Sequence, residues 1–144
     1  MAAPHKRAAA SDFLEQGFAG ERLEHPLFGK ACRLHAFGAF SKAAKAWKDL
    51  YEANRDHKWL LINYALAIRN VGHVDFAMRV FDWLRSQLPG VPQIQARFEQ
   101  NGALWQQMEN GADPGRVLGL RTFTWKPGFP PPALLVDEKF FAFT

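Results

Sequence analysis

A 34-residue self-similarity is the feature that most constrains the fold of this 144-residue chain. When the sequence is shifted against itself by 34 residues, with no gap, chemically similar residues coincide at seven positions. The coinciding pairs are Leu27 with Leu61, Ala31 with Ala65, Leu34 with Ile68, Gly38 with Gly72, Ala43 with Ala77, Trp47 with Phe81, and Leu50 with Leu84. A period of this length is typical of stacked pairs of helices. The self-similarity therefore predicts an all-α fold that contains two similar helix pairs.

Within each copy, the apolar residues predict two amphipathic helices that are separated by a tight turn. In the second copy, apolar residues recur at spacings of three and four at Leu61, Ala65, Ile68, Ala77, Val80, Phe81 and Leu84. Gly72 lies between the two halves of this pattern, where a glycine can take a positive φ and close the first helix. Ala43 and Ala77 are small enough to let the paired helices approach closely.

The second copy resembles the tetratricopeptide repeat family. The resemblance depends on the spacing of Ala65, Ile68, Gly72, Ala77, Phe81, Leu84 and Pro89. The first copy is a degenerate match, because Lys30 replaces a residue that is usually apolar and Arg55 replaces the proline. The resemblance covers residues 24–91 as two repeats, and it implies a short α-solenoid of antiparallel helix pairs.

Two segments flank the repeats on the N-terminal and C-terminal sides. Residues 1–23 form an N-terminal arm, in which Asp12 and Glu15 have the spacing of a capping box and predict a short helix. Residues 92–110 predict a capping helix, which begins at Pro92 and ends near Gly111. Terminal units of a repeat array need a polar outer face, and this segment is rich in Gln and Asn.

Residues 111–144 form a tail of different character, with five of the nine prolines of the chain. The prolines between residues 125 and 132 exclude regular helix and favour an extended conformation. The tail is nevertheless dense in Leu, Val, Phe and Trp, and so much apolar surface is costly to leave in water. We expect the tail to dock on a partner through Trp125, Phe129, Phe140 and Phe141, or else to cover the repeats of its own chain.

The sequence contains no recognisable constellation for catalysis or for binding a metal ion or cofactor. It lacks a nucleophile with an adjacent base and a phosphate-binding loop, and no two histidines have the spacing of a helical metal site. The single cysteine, Cys32, excludes an intrachain disulfide. The acidic pairs of the chain, such as Asp49 with Glu52, lie near basic residues and are typical of solvated helix faces. We therefore expect no enzymatic activity, no metal and no cofactor.

The chain has no run of 18 apolar residues, so the sequence predicts no membrane-spanning helix. We expect a soluble intracellular protein, in the cytoplasm or in an organellar matrix, and the sequence does not choose between these compartments. The formal net charge of +4 is mild, and basic residues alternate with acidic ones. Nucleic-acid binding is permitted by this charge but is not indicated by it.

The resemblance implies a groove that is lined by the first helix of each pair. In the second copy, the groove residues are Trp59, Ile62, Leu66, Arg69 and Asn70. This surface is largely apolar and lacks the polar clamp with which some tetratricopeptide modules bind chaperone C-termini, so we disfavour that role. The groove either binds a partner or is filled in cis, by the N-terminal helix or by the tail.

Three functional hypotheses follow from these features. The first is a non-catalytic protein–protein interaction protein, an accessory or scaffold subunit that joins a larger assembly through its aromatic tail and its repeat surface. The second is a transient adaptor that binds a short peptide in the apolar groove. The third and most distant is an RNA-associated protein that uses the basic face of Lys42, Lys45 and Lys48.

Overall fold

The computed structural model describes residues 12–113, and this part of the chain contains five helices and no strand. The helices are α1 (Pro26–Phe37), α2 (Phe40–Ala53), α3 (Leu60–Val71), α4 (Val74–Gln87) and α5 (Pro92–Glu109). The prediction of an all-α fold is confirmed for the described residues. The predicted tail anchors Trp125, Phe129, Phe140 and Phe141 lie outside them.

The boundaries of the first four helices repeat with the period of the sequence. Helices α1 and α3 each contain 12 residues, and helices α2 and α4 each contain 14. Pro26 and Leu60, the first residues of α1 and α3, are 34 residues apart, and so are Phe40 and Val74, the first residues of α2 and α4. The two sequence copies therefore fold into two helix pairs of matching lengths.

A glycine closes the first helix of each pair. Gly38 has a φ of 96° and Gly72 has a φ of 129°, values that residues with a Cβ atom rarely adopt. In both turns the glycine N–H donates to the carbonyl three residues earlier, and the following N–H donates to the carbonyl five residues earlier. These bonds satisfy carbonyl groups that the helix end would leave without partners. The predicted glycine turns are confirmed in both copies.

Each helix packs on the next helix in the sequence, from α1 through α5. Helix α3 lies at the centre, and all of its residues from Leu60 to Asn70 are buried. Trp47 of α2 and Phe81 of α4, which coincide in the self-comparison, are both fully buried. Ala43 and Ala77 are also fully buried, as the predicted close approach of the paired helices requires.

Helix α5 packs against α4 and lies within the predicted helix at residues 92–110. Pro92 occupies its first turn, where the missing N–H of proline is not needed. Ile94, Leu104 and Met108 are buried on the inner side, and the Asn101 side chain donates to the Val74 carbonyl at 3.1 Å. The exposed residues of this helix are mostly Gln and Glu.

The prediction of an N-terminal helix is wrong, because residues 12–25 contain turns and bends but no helix. The expected capping residue, Asp12, lies beside α5, where its carbonyl accepts a hydrogen bond from Arg97. The backbone groups of Leu14 are bonded to a side chain of α3 instead of to a helical neighbour. A turn from Gly17 to Glu21 follows, in which the Gly17 N–H donates to the Glu21 carbonyl at 2.8 Å. Contacts with distant helices thus replace the local hydrogen bonds of the predicted helix.

Candidate functional site

Residues 12–23, called here the N-terminal segment, lie against α3 and α5. The backbone N–H of Leu14 donates to Asn63 Oδ1 at 2.7 Å, and Asn63 Nδ2 donates to the Leu14 carbonyl at 2.7 Å. One carboxamide therefore satisfies both backbone groups of one residue, because an amide side chain offers a donor and an acceptor side by side. Asn63 is itself fully buried.

Two side chains of α5 also bind the main chain of the N-terminal segment. Arg97 Nη2 donates to the Asp12 carbonyl at 2.8 Å, and its distance to the Asp12 carboxylate is longer, at 3.5 Å. Gln93 Nε2 donates to the Phe18 carbonyl at 3.5 Å. The backbone of the segment is thus bound at three residues by side chains of α3 and α5.

The apolar side chains of the N-terminal segment complete the core. The Phe13 ring centroid lies 4.8 Å from that of His35 and 6.0 Å from that of Trp47. The Trp47 indole N–H donates to His35 Nδ1 at 3.2 Å, which holds these two rings in place. Leu14, Phe18 and Leu23 also pack against the buried cluster of the helices.

A charged cluster lies beneath the start of the N-terminal segment. Arg69 is 3% exposed, and its Nε donates to Asn70 Oδ1 at 3.0 Å. Burial raises the pKa of the Asp12 carboxyl, and the positive charges of Arg97 and Arg69 oppose this rise. Burial lowers the pKa of Arg69 to about 10, against the opposing effect of Asp12. Arg69 therefore remains charged at neutral pH.

The structure brings all five predicted groove residues into the interior. Trp59, Ile62, Leu66, Arg69 and Asn70 are each between 0% and 3% exposed. They share one face of α3 and the turn before it, and Asn63 lies on the same face, because residues three and four apart are neighbours on a helix. The N-terminal segment of the same chain binds this face. The sequence left open two ways of filling the groove in cis, by the N-terminal part of the chain or by the tail. Their role in binding a partner stays a prediction.

Comparison of the chain with protein-family models, with curated proteins and with solved structures found no match. The resemblance to the tetratricopeptide repeat family therefore stays a prediction from residue spacing.

Sequence reasoning missed Asn63 as the residue that binds the N-terminal segment. The available signal was a polar residue inside the largely apolar stretch from Leu60 to Ile68, between Ile62 and Tyr64. A buried Asn needs hydrogen-bond partners, so its position alone marks a site where another part of the chain or a ligand must approach. The sequence could not indicate that the partner is Leu14, 49 residues away.

On the basic face that was proposed to bind RNA, two of the three lysines form ion pairs with acidic residues. Lys45 Nζ lies 3.0 Å from the Asp49 carboxylate, and Lys48 Nζ lies 3.5 Å from the Glu52 carboxylate. Both pairs join neighbouring turns of α2, as expected for a solvated, salt-bridged face. Lys42 is exposed.

The described residues offer little support for a reactive nucleophile or a metal site. Cys32 is half-buried, and burial raises the pKa of its thiol to about 11, with a further contribution from Glu15. The thiol is therefore protonated at neutral pH, and a protonated thiol is a poor nucleophile. Between residues 12 and 113, no group of three His, Cys, Asp or Glu side chains is placed to hold a metal ion.

No helix in this range is long and apolar enough to cross a membrane.

Proposed function

We propose that this chain is a short tetratricopeptide-like repeat protein without catalytic activity, which serves as an accessory or scaffold subunit of a larger protein assembly. The observation that carries this proposal is the occupation of the groove face of α3 by the chain's own N-terminal segment. Because the N-terminal segment occupies that face, the groove is not free, and partners bind elsewhere on the chain.

The matching helix pairs support the repeat assignment. Their first residues are separated by the same 34 residues as the sequence copies, and both first helices end in the same glycine turn. Helix α5 supplies a polar outer surface at one end, as the terminal unit of such an array must.

The aromatic tail is the proposed docking element. Among the described residues, Phe37 stands out as an exposed large hydrophobic side chain, at 84% exposure. The folded part of the chain therefore buries, fully or in part, nearly all of its own large apolar side chains. Trp125, Phe129, Phe140 and Phe141 remain as anchors in the sequence, and buried aromatic residues contribute most to the energy of interfaces.

The native size of the complex that contains this protein tests the proposal. We expect the full chain to migrate with one fixed set of proteins in an extract of its source, with the partners identified by mass spectrometry. The Trp125→Ala/Phe129→Ala variant should leave that complex and keep its helical circular dichroism. Phe37→Ala is the matched control, because it removes an exposed aromatic side chain outside the tail and should leave the complex intact. Migration of the wild type near 16.3 kDa would contradict the proposal.

The alternative proposal is a transient adaptor that binds a short peptide in the apolar groove. An adaptor of this kind would have to release its N-terminal segment before a partner could bind.

A further inference from the structure

We infer that a surface at the α1 end of the fold, formed by Lys30, Arg33, Phe37 and Lys42, binds single-stranded nucleic acid. These four exposed residues are called here the terminal face. Its cations contact phosphate groups of the strand, and the ring of Phe37 stacks on a base. This activity goes beyond the proposed function and is separate from assembly through the tail.

Three residues of the terminal face form one stripe along α1. Arg33 follows Lys30 by three residues, and Phe37 follows Arg33 by four, so all three are neighbours on the helix surface. With a rise of about 1.5 Å per residue, the stripe is about 10 Å long. Lys42 lies in the first turn of α2, so the Gly38 turn places it at the same end of the helix pair as Phe37.

The positive charges of the terminal face have no acidic counterpart in the described part of the chain. From residue 25 to residue 48, the sequence contains five Lys and Arg residues and no Asp or Glu. The last two of these cations form the ion pairs on α2 that are described above. The other three, Lys30, Arg33 and Lys42, form no ion pair with a described residue. The terminal face is therefore available to an anion.

Two of these uncompensated charges lie close together on α1. The Arg33 guanidinium lies back along the helix, 3.3 Å from the position that a Cβ on Gly29 would take. Gly29 is the residue before Lys30, so two positive charges share one turn of the helix. Like charges at this spacing repel each other, and an anion that binds beside both of them removes the repulsion.

The second sequence copy shows what a covered helix pair has at the same positions. The four residues that follow the terminal face by 34 positions are apolar or aromatic: Tyr64, Ala67, Val71 and Phe76. Three of them are at most 1% exposed, and Val71 is half-buried. Helix α3 packs on both α2 and α4, whereas α1 packs mainly on α2 and no described helix precedes it. The terminal face is thus the open end of the helix series.

Solubility explains the cations at this open end but does not explain the aromatic ring. The helix at the other end of the series, α5, exposes mostly Gln and Glu, and its large apolar side chains are all at least partly buried. Phe37 is 84% exposed among cations. A surface that only keeps the end of the series soluble needs no such ring.

The surroundings of Phe37 favour a nucleic acid over an acidic segment of another protein. The core of a protein interface is an apolar patch, whereas the exposed neighbours of Phe37 in the sequence are the small residues Ala36, Gly38 and Ser41. A single ring among cations matches surfaces that bind single strands, where basic side chains follow the backbone and aromatic rings stack on bases. A duplex keeps its bases stacked on each other, so the ring selects a single strand.

The salt dependence of binding tests the cations of the terminal face. The probe is a fluorescein-labelled single-stranded RNA of about 12 nucleotides, and fluorescence anisotropy measures its binding to the full chain. We expect the logarithm of the association constant to fall with the logarithm of the salt concentration with a slope of about −2, since each phosphate contact to a single strand contributes about −0.7. Lys30→Gln and Arg33→Gln should each reduce this slope by about 0.7. The same sequence made as DNA identifies which nucleic acid the face prefers.

Arg79→Gln is the matched control for the charge variants. Arg79 is exposed on α4, and its removal changes the net charge of the chain by the same amount. We expect the affinity and the slope for this control to equal those of the wild type.

Substitutions of Phe37 test stacking separately from charge. Phe37→Ala should weaken binding at least about fivefold and leave the salt slope unchanged. Phe37→Leu keeps an apolar side chain without a ring and should weaken binding as much, whereas Phe37→Trp should retain it. The substituted side chains are exposed, so each variant should keep the helical circular dichroism of the wild type.

Three outcomes would overturn the inference. The first is no binding of the labelled strand, or binding that salt does not weaken. The second is an equal loss for Arg79→Gln, which would mean that net charge alone attracts the strand. The third is tighter binding of a polyglutamate peptide with no effect of Phe37→Ala, which would assign the face to an acidic protein. No variant changes the tail, so none of these outcomes decides assembly through Trp125 and Phe129.

Discussion

Asn63 and Leu14 are 49 residues apart in the sequence and are joined by two hydrogen bonds of 2.7 Å each. We expect Asn63→Ala to lower the free energy of unfolding by about 1–3 kcal/mol, since it leaves two backbone groups of Leu14 without partners. Urea denaturation measures this loss. Faster hydrogen exchange at the Leu14 amide should show that the N-terminal segment is released.

Asn54→Ala is the matched control for this change. The Asn54 side chain donates to the Leu50 carbonyl at 2.9 Å, within the end of its own helix. Its removal should cost about 0.5–1.5 kcal/mol and should leave exchange at Leu14 unchanged. Equal exchange at Leu14 in the wild type and in the Asn63→Ala variant would contradict the role of Asn63.

Two glycines with different backbone conformations should respond in opposite directions to substitution by alanine. Gly38 has a φ of 96°, and an added Cβ would meet no atom within 4 Å, so the cost is conformational. We expect Gly38→Ala to destabilise the fold by about 1–2 kcal/mol. Gly102 lies inside α5 with the same open space and no positive φ, so Gly102→Ala should stabilise the fold by up to about 1 kcal/mol. Thermal unfolding measures the effects of both substitutions. Equal effects would contradict the assignment of Gly38 to a turn that requires a positive φ.

The helices were predictable from the sequence because their signals are local. Apolar spacing, Gly38, Gly72 and Pro92 each act within a few residues, and the structure has the corresponding turns and helix starts. The helix expected at Asp12 also depended on a local pattern, but there the contact with Arg97 lies 85 residues away. Long-range contacts outweigh local propensity at this segment, and a single sequence does not reveal them.

Asp12 should give the fold a measurable dependence on pH. Burial raises the pKa of its carboxyl above the ordinary value of 3.8, so the folded state holds this proton more tightly than the unfolded state does. The contribution of this group to stability is therefore fully present below pH 3.8 and is lost as the pH rises through the raised pKa. Asp12→Asn stays neutral throughout. The stability of the wild type relative to this variant should fall as the pH rises through that window.

The urea midpoints of the wild type and of the Asp12→Asn variant, measured from acidic to neutral pH, check this dependence. Asp82→Asn removes the same charge from an exposed position on α4, where Asp82 lies 2.8 Å from Arg85. This control separates the loss of one negative charge from the burial of the carboxyl. A rise in the relative stability for Asp12→Asn would contradict the dominance of burial.

His35 and Trp47 should show energetic coupling, because the Trp47 indole N–H donates to His35 Nδ1 at 3.2 Å inside the core. His35→Leu alone leaves a buried donor without its acceptor, whereas combination with Trp47→Phe removes both polar groups. A double-mutant cycle of unfolding free energies should give a coupling of about 0.5–1.5 kcal/mol.

The pair His57 and Trp59 provides a control cycle with the same residue types. Its hydrogen bond is longer, at 3.4 Å, and the acceptor His57 is only half-buried, so water can reach His57 and the bond should contribute less. We expect a smaller coupling for His57→Leu with Trp59→Phe than for the buried pair. A coupling near zero for the buried pair would mean that the His35 acceptor contributes nothing beyond packing. The rings against which Phe13 lies would then be positioned by shape alone.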